Sequence, residues 1–355
     1  MPHEATRSQS SAAGSSGVVG AASDPPIERI PVGVSSCLLG EAVRYDGGHK
    51  HNRYLTEALS RYFEFVPYCP EALAGLGTPR PPIRLIGDAK DPQAVRIGGD
   101  EGDVTEALKE VARTIAPAAK RLCGYIFKRG SPSCGMERIK VYPARISPDR
   151  GSPSAAAKGS PPIPRTGQGI VARAIMEAWP LLPCEDEGRL NDPALCESFI
   201  ERVFTRSRWL RTMAKGASAG KLVDFHTRHK LLLLSHSEVH YRAAGRLVAQ
   251  AGEREIEGIA EDYIGLLMEG MRRRATRRRH TNVLQHLAGY LKRSIDEADR
   301  RELIDLIEEY RIGSVSLTLP IRFLRHHLRK APNRHAEMQH YLEPWPDSLG
   351  LRNHL

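Results

Sequence analysis

Several things are scarce in this chain of 355 residues. No apolar run approaches the ~20 residues that span a bilayer; the longest resemble Leu231–Leu234. Met1–Pro26 has no apolar core of the kind a secretory signal carries. A cytoplasmic protein with no membrane segment is expected. Aromatic residues make up only 6%, which is thin for a surface that stacks single-stranded bases. There are six cysteines and no CxxC pair, which argues against a disulfide scaffold, a zinc ribbon or a thioredoxin-like dithiol. No internal repeat is visible.

What is present is an ordinary globular composition, 41% hydrophobic and 26% charged, with a basic surplus. Lys and Arg number 52 against 42 Asp and Glu, a net charge of +10, with a pI near 9.4. Such a surplus permits an anionic partner without naming one. The Ser, Ala and Gly-rich stretch Met1–Pro26 reads as a disordered tail over residues 1–26. From Ile27 to Pro183, short apolar runs alternate with helical patterns. Arg29–Ser35, Phe63–Val66 and Gly124–Lys128 read as strands, and Tyr54–Tyr62, Thr105–Leu122 and Gly169–Ala178 as helices. Pro117 should kink or split the second of these helices. This rhythm predicts an α/β domain, an open, parallel, Rossmann-like sheet. Ser147–Thr166, rich in Pro, Ser and Gly, reads as an exposed loop. Residues 184–355 change texture into amphipathic stretches: Asp192–Ala214, Lys221–Gln250, Arg254–Arg273, Thr281–Lys292 and Asp296–Tyr310. A mostly helical second domain is expected there.

Three cysteines each follow a predicted strand: Cys37 in VGVSSCLLG, Cys69 in VPYCPEALAGL and Cys134 in KRGSPSCG. Ligands in open α/β sheets bind beyond the carboxyl ends of the strands, so the three thiols can converge. Three fold-gathered thiolates suit an iron–sulfur cluster or zinc; buried packing is the ordinary alternative for free cysteines. Cys123 precedes its strand and should face the opposite edge, and Cys184 and Cys196 lie elsewhere.

CLLGEAVRYDGGHK (Cys37–Lys50), CPEALAGLGTPRPPI (Cys69–Ile83) and SPSCG (Ser131–Gly135) resemble the thiouracil desulfidase family. The resemblance implies a 4Fe-4S cluster held by Cys37, Cys69 and Cys134, with the fourth iron free to take sulfur from a small thiolated substrate such as a nucleobase. Arg84 stands where many relatives carry an acid. Replacing sulfur at a thiocarbonyl requires a water and a proton donor. Glu71, two residues after Cys69, is the first candidate, although it equally suits the first turn of a helix. Ser133 is a candidate for positioning substrate or for capping a turn. Asp46 reads as a turn residue. Arg44, Lys50 and Arg80 are cations for the site or for the solvated surface, and His49 and His51 are zinc ligands only if the metal is zinc.

In the second half, LVDFHTRHKLLLLSHS, HTNVLQHLAGYLKR, SVSLTLPIRFLRHHL and EPWPDSLGLRNHL resemble the YbgA-type domain family, whose biochemical role is not known. His226, His229, His236 and His240 form a stripe if one helix runs through them, suited to metal or to helix–helix contacts. Arg272–Arg279 lie in the most arginine-rich run of the chain and suggest a nucleic acid as the alternative partner. In that rival reading the protein is a nucleic-acid-binding or regulatory module with a structural or sensing metal.

Overall fold

The computed structural model describes residues 28–98, 102–146, 153–155, 161–164 and 166–353. The tail expected over Met1–Pro26 and most of the Ser147–Thr166 insert lie outside them. The first half runs β1 (Ile30–Ser35), β2 (Phe63–Tyr68), α1 (Pro70–Leu73), β3 (Ile83–Gly87), β4 (Pro92–Arg96), α2 (Thr105–Ala118) and β5 (Gly124–Phe127). It continues through β6 (Ile139–Tyr142), β7 (Ala144–Ile146), β8 (Pro153–Ala155), β9 (Thr166–Gly167), α3 (Ile170–Ala178) and β10 (Cys184–Asp186).

Four strands form an all-parallel sheet in the order β10-β5-β1-β2. The parallel α/β sheet expected from the sequence is therefore present. β1, IPVGVS, is buried over nearly its whole length, as a central strand covered on both faces must be. The chain steps from β1 outward to β2 and returns to the other side of β1 as β5, so the loops after β1 and β5 open at a switch point. The sheet takes in Cys184–Asp186 and so reaches just beyond Pro183.

A second sheet, β4-β3-β6-β9, was not anticipated. β3 runs antiparallel to β4 and parallel to β6. Its strands are short and its segments PPIRLIG and RIKVY carry charges among the apolar residues. Helix α2 buries Leu108, Val111, Ala112 and Ile115, the i, i+3, i+4, i+7 stripe of an amphipathic helix. Pro117 sits in its last turn and does not split it; a 3-10 turn over Ala119–Arg121 follows, a common ending for a helix.

The second half is helical: α4 (Pro193–Met213), α5 (Ala219–His236), α6 (Glu238–Ala249), α7 (Ile256–Arg272), α8 (Arg277–Leu291), α9 (Glu297–Ile312), α10 (Thr318–Lys330) and the short α11 (Arg334–Glu337). Asp192 caps α4, accepting from the amides of Ala194 and Leu195, with Pro193 in the first turn. Phe199, Ile200 and Val203 of α4 are fully buried and share a core with Val32, Val34 and Ile126 of the parallel sheet. Each such burial is worth ~1.5–3 kcal/mol, and α4 thereby joins the helical half to the sheet. The expected stretch Lys221–Gln250 is two helices, because Ser237 adopts extended backbone and caps α6 through the amide of His240. Among the described residues no helix is long and apolar enough to cross a membrane.

Candidate active site

The three cysteine loops leave the carboxyl ends of neighbouring strands. Cys37 lies in the 3-10 turn after β1, Cys69 is the residue before α1, and Cys134 lies in the loop after β5. All three line one cavity of about 530 Å³. Its opposite wall is the second sheet, which presents Ile83, Arg84, Ile139, Lys140 and Tyr142. The unanticipated sheet therefore closes the site.

The Cys134 loop is held from behind. The backbone carbonyl of Ser133 accepts from the amides of Val171 and Ala172 at 3.0 and 3.1 Å, and Gly169 donates to the carbonyl of Gly135 at 2.8 Å. The start of α3 thus clamps SPSCG, and Ser133 has no exposed surface. A Cβ on Gly169 would lie 2.6 Å from the Ser133 carbonyl oxygen and 2.8 Å from the Gly135 nitrogen. Both are backbone atoms, so the loop must move. Gly169→Ala should lower stability by about 1–3 kcal/mol, the usual cost of overpacking; a thermal melt at wild-type stability would contradict the clamp.

Glu71 and Ser133 meet inside this cavity. Ser133 Oγ donates to Glu71 Oε1 at 2.7 Å, and Ser131 Oγ stands 3.4 Å from the same oxygen. The other oxygen, Oε2, accepts from Arg80 Nε at 3.0 Å and Nη2 at 2.7 Å. Arg80 also donates to the carbonyl of Gly77 at 2.7 Å, and its side chain is only 4% exposed. The solvated-surface alternative for Arg80 thus fails, and a buried guanidinium fixes the carboxylate. Ser133 Oγ lies 3.6 Å from Cys134 Sγ. The result is a line from Arg80 through Glu71 and Ser133 to a thiol.

Burial raises all three thiols. It pushes Cys37 up to about 11, lifts Cys69 above the ordinary range, and takes Cys134 to about 12, with the Glu71 charge adding to burial at Cys134. Hydrogen bonds from Ser133 and Ser35 oppose the rise at Cys134. Without a bound cation these groups are neutral thiols at pH 7. Among the described residues no group of three or more His, Cys, Asp and Glu is gathered to hold a single metal ion.

The other candidates fall outside this centre. Asp46 accepts from the Gly48 amide at 3.1 Å and makes the expected turn. Arg44 reaches the cavity wall and pairs with Asp46 at 3.3 Å. Lys50 is exposed. His49 accepts from the His51 amide at 3.2 Å, and His51 meets Thr56 at 2.9 Å. Cys123 and Cys196 are buried away from the cavity, Cys196 against the Tyr54 hydroxyl at 3.2 Å. Sequence reasoning missed Ser131 and Ser35, which lie in the same motif loops as the cysteines.

The histidine stripe divides between two helices. His226 meets the Tyr263 hydroxyl at 3.3 Å, His229 the Phe225 carbonyl at 2.8 Å and His240 the Ser237 hydroxyl at 2.8 Å. His236 lies between the Arg273 carbonyl at 2.7 Å and Glu201 at 2.6 Å. Each ring has its own local partner, the helix-contact role rather than a shared metal.

A parallel α/β sheet with three cysteines and an acid–serine pair at its strand ends, joined to a helical unit, defines a two-part chain. Residues 32–187 match the 2-thiouracil desulfurase family, and residues 230–346 match a family of unknown function, DUF1722. Uncharacterized protein YbgA of Escherichia coli (strain K12) is 32% identical over 158 residues, covering 44% of this chain and 94% of that protein. Uncharacterized protein YbbK of Bacillus subtilis (strain 168) is 37% identical over 108 residues, 29% of this chain and 71% of that protein. The solved structure of the [4Fe-4S]-dependent thiouracil desulfidase TudS is 27% identical, covering 48% of this chain and 99% of its own, with a TM-score of 0.33. The chain belongs to the family of the Escherichia coli protein YbgA, and its α/β half matches the model of the 2-thiouracil desulfurase family.

Proposed function

We propose that this chain is a desulfidase that replaces the sulfur of a thiocarbonyl compound with oxygen from water. The carrying observation is the single cavity that joins three thiols to the Glu71–Ser133 pair. The donors suit a 4Fe-4S cluster: three soft thiols line one cavity, and burial raises all three so that ionising them calls for positive charge beside them. Cys37, Cys69 and Cys134 would hold it, and when bound it would supply an open iron as a Lewis acid toward sulfur.

The reaction balances without an oxidant or reductant. The carbon–sulfur double bond becomes carbon–oxygen, and sulfur leaves with the two hydrogens of water as hydrogen sulfide. Glu71 Oε1 takes a proton from the attacking water, while Arg80 fixes Oε2. The Ser133 hydroxyl, buried between Glu71 and Cys134, holds Oε1 in place toward the cavity, and Glu71 passes that proton on to the departing sulfur. The complete burial of Ser133 holds this geometry.

The cavity wall favours a charged substrate. Arg84 and Lys140 face it with no acid within ion-pair distance among the described residues, and Arg84 lies 4.0 Å over the Tyr142 ring. These cations suit a thiolated nucleobase carried on a phosphorylated sugar. Arg84→Gln should raise KM for 4-thiouridine 5′-monophosphate about tenfold, the worth of one charge-assisted hydrogen bond, with little change for free thiouracil. Equal effects on both would remove Arg84 from phosphate recognition.

The second reading, nucleic-acid binding through Arg272–Arg279, rests on exposed Arg272, Arg273, Arg274 and Arg278. Arg277 is turned inward, donating to the Tyr310 carbonyl at 2.7 Å. Binding to duplex DNA with a salt slope of about −0.9 per phosphate neutralised would support this reading, and binding indifferent to salt would remove it.

A further inference from the structure

Between the α/β half and the helical half lies a second cavity of about 530 Å³ that the reaction above does not use. Its floor includes Met136, Met176 and Leu182 from the first half. Five guanidinium side chains face it, against two carboxylates, Glu177 and Glu185. Two of the five are occupied: Arg173 by Asp91 at 3.0 Å, and Arg189 by Glu185 at 2.5 Å and Glu137 at 3.0 Å. The remaining three, Arg202, Arg272 and Arg274, have no carboxylate within ion-pair distance among the described residues.

Arg202 is the most telling of them. It projects from α4, the helix that joins the two halves, and its Nε donates at 3.2 Å to the carbonyl of Ser198, one turn back. No hydrogen bond from its two terminal nitrogens to a described protein acceptor is present. Burial lowers its affinity for its proton, and the charges of Arg272 and Arg189 add to that; the field of Glu185 opposes it. A half-buried guanidinium crowded by like charges is costly unless something anionic completes it. Arg272 donates one nitrogen to the Pro180 carbonyl, and Arg274 stands at the mouth, where this cavity meets the smaller one beneath α8.

We propose that this cleft is a binding site for a small phosphorylated molecule, its phosphate held by Arg202, Arg272 and Arg274 and its organic part lying over Met136, Met176 and Leu182. Guanidinium forks match phosphate oxygens in pairs, and a cleft of this size is ordinary for a small-molecule ligand. Met136 lies two residues after Cys134, so the ligand touches the back of the loop that carries a site cysteine. The assignment stands independently of the reaction at that cysteine.

The test is calorimetric titration of the full-length protein with inorganic pyrophosphate, against sodium chloride of matched ionic strength, with adenosine monophosphate and inorganic phosphate as competitors. Saturable pyrophosphate binding is expected, weakened at least tenfold in Arg202→Met and in Arg274→Gln and unchanged in Arg301→Gln, an exposed arginine outside both cavities. Adenosine monophosphate should displace it at lower concentration than inorganic phosphate does. Arg274 is exposed, so its variant remains informative if Arg202→Met does not fold. Heat no greater than the chloride control, equal affinity in both arginine variants, or displacement by polynucleotide alone would overturn the proposal.

Discussion

Glu71→Gln should reduce turnover of a thiocarbonyl substrate by about 10²–10⁴-fold, the range that a positioned acid–base group supplies, while leaving metal content unchanged. The reason lies in how the two carboxylate oxygens are divided. Oε2 is taken by Arg80, and Oε1 is left toward Ser133 and the cavity. A glutamine keeps the size and still accepts from Ser133, but it cannot hold a transferred proton. It also leaves the buried Arg80 guanidinium without its counter-charge, so some thermal destabilisation accompanies the kinetic loss. Circular dichroism and iron analysis separate the two effects. Wild-type turnover in a folded, fully loaded Glu71→Gln protein would show that the carboxylate is structural.

The second large effect belongs to the cysteines. Cys37→Ala, Cys69→Ala and Cys134→Ala should each remove the bound iron and sulfide and bring desulfuration to background, whereas Cys123→Ala and Cys196→Ala should leave both intact. Loading should also depend on pH in a definite direction. The free thiols are raised by burial, to about 11 at Cys37 and about 12 at Cys134, so each ligand sheds a proton when it binds metal. Affinity should therefore rise with pH across the neutral range, below those values, and fall on acidification. Iron and sulfide assays after anaerobic reconstitution at several pH values measure this. Retention of iron in two or more of the three variants would return these thiols to the packed interior.

Much of the site's framework was legible because it depends on local pattern. The strands before Cys37 and Cys134 are short, apolar and buried, the strand before Cys69 is short and largely apolar, and their loops follow from the rule that parallel sheets place sites at their carboxyl edge. Arg80 was a candidate for the site or for the surface, and the choice between them was not legible. Its burial depends on a loop that folds back so that its amide bonds the Tyr45 carbonyl at 2.9 Å, a contact between segments far apart in sequence. The second sheet was hidden for another reason. Ile83, Arg84 and Leu85, like Ile139, Lys140 and Val141, alternate buried and open positions over only three residues, a pattern too short to read as a strand, and the open positions line the cavity. In the helical half, a single serine turned one expected helix into two. Ser237 competes for backbone donors as a cap, and this moved His240 off the helix that carries His236.

The most direct test of desulfuration is anaerobic turnover of thiouracil by the iron-loaded wild-type protein in ¹⁸O-labelled water. Product oxygen and released sulfide are measured together, with Cys134→Ala as the control. The expected result is uracil carrying one labelled oxygen at the former thiocarbonyl carbon, with an equal amount of hydrogen sulfide and no added reductant or oxidant. Absence of sulfide and of the oxygen-containing product, uracil from thiouracil and uridine 5′-monophosphate from 4-thiouridine 5′-monophosphate, from fully loaded protein would contradict the assignment of this cavity to thiocarbonyl hydrolysis.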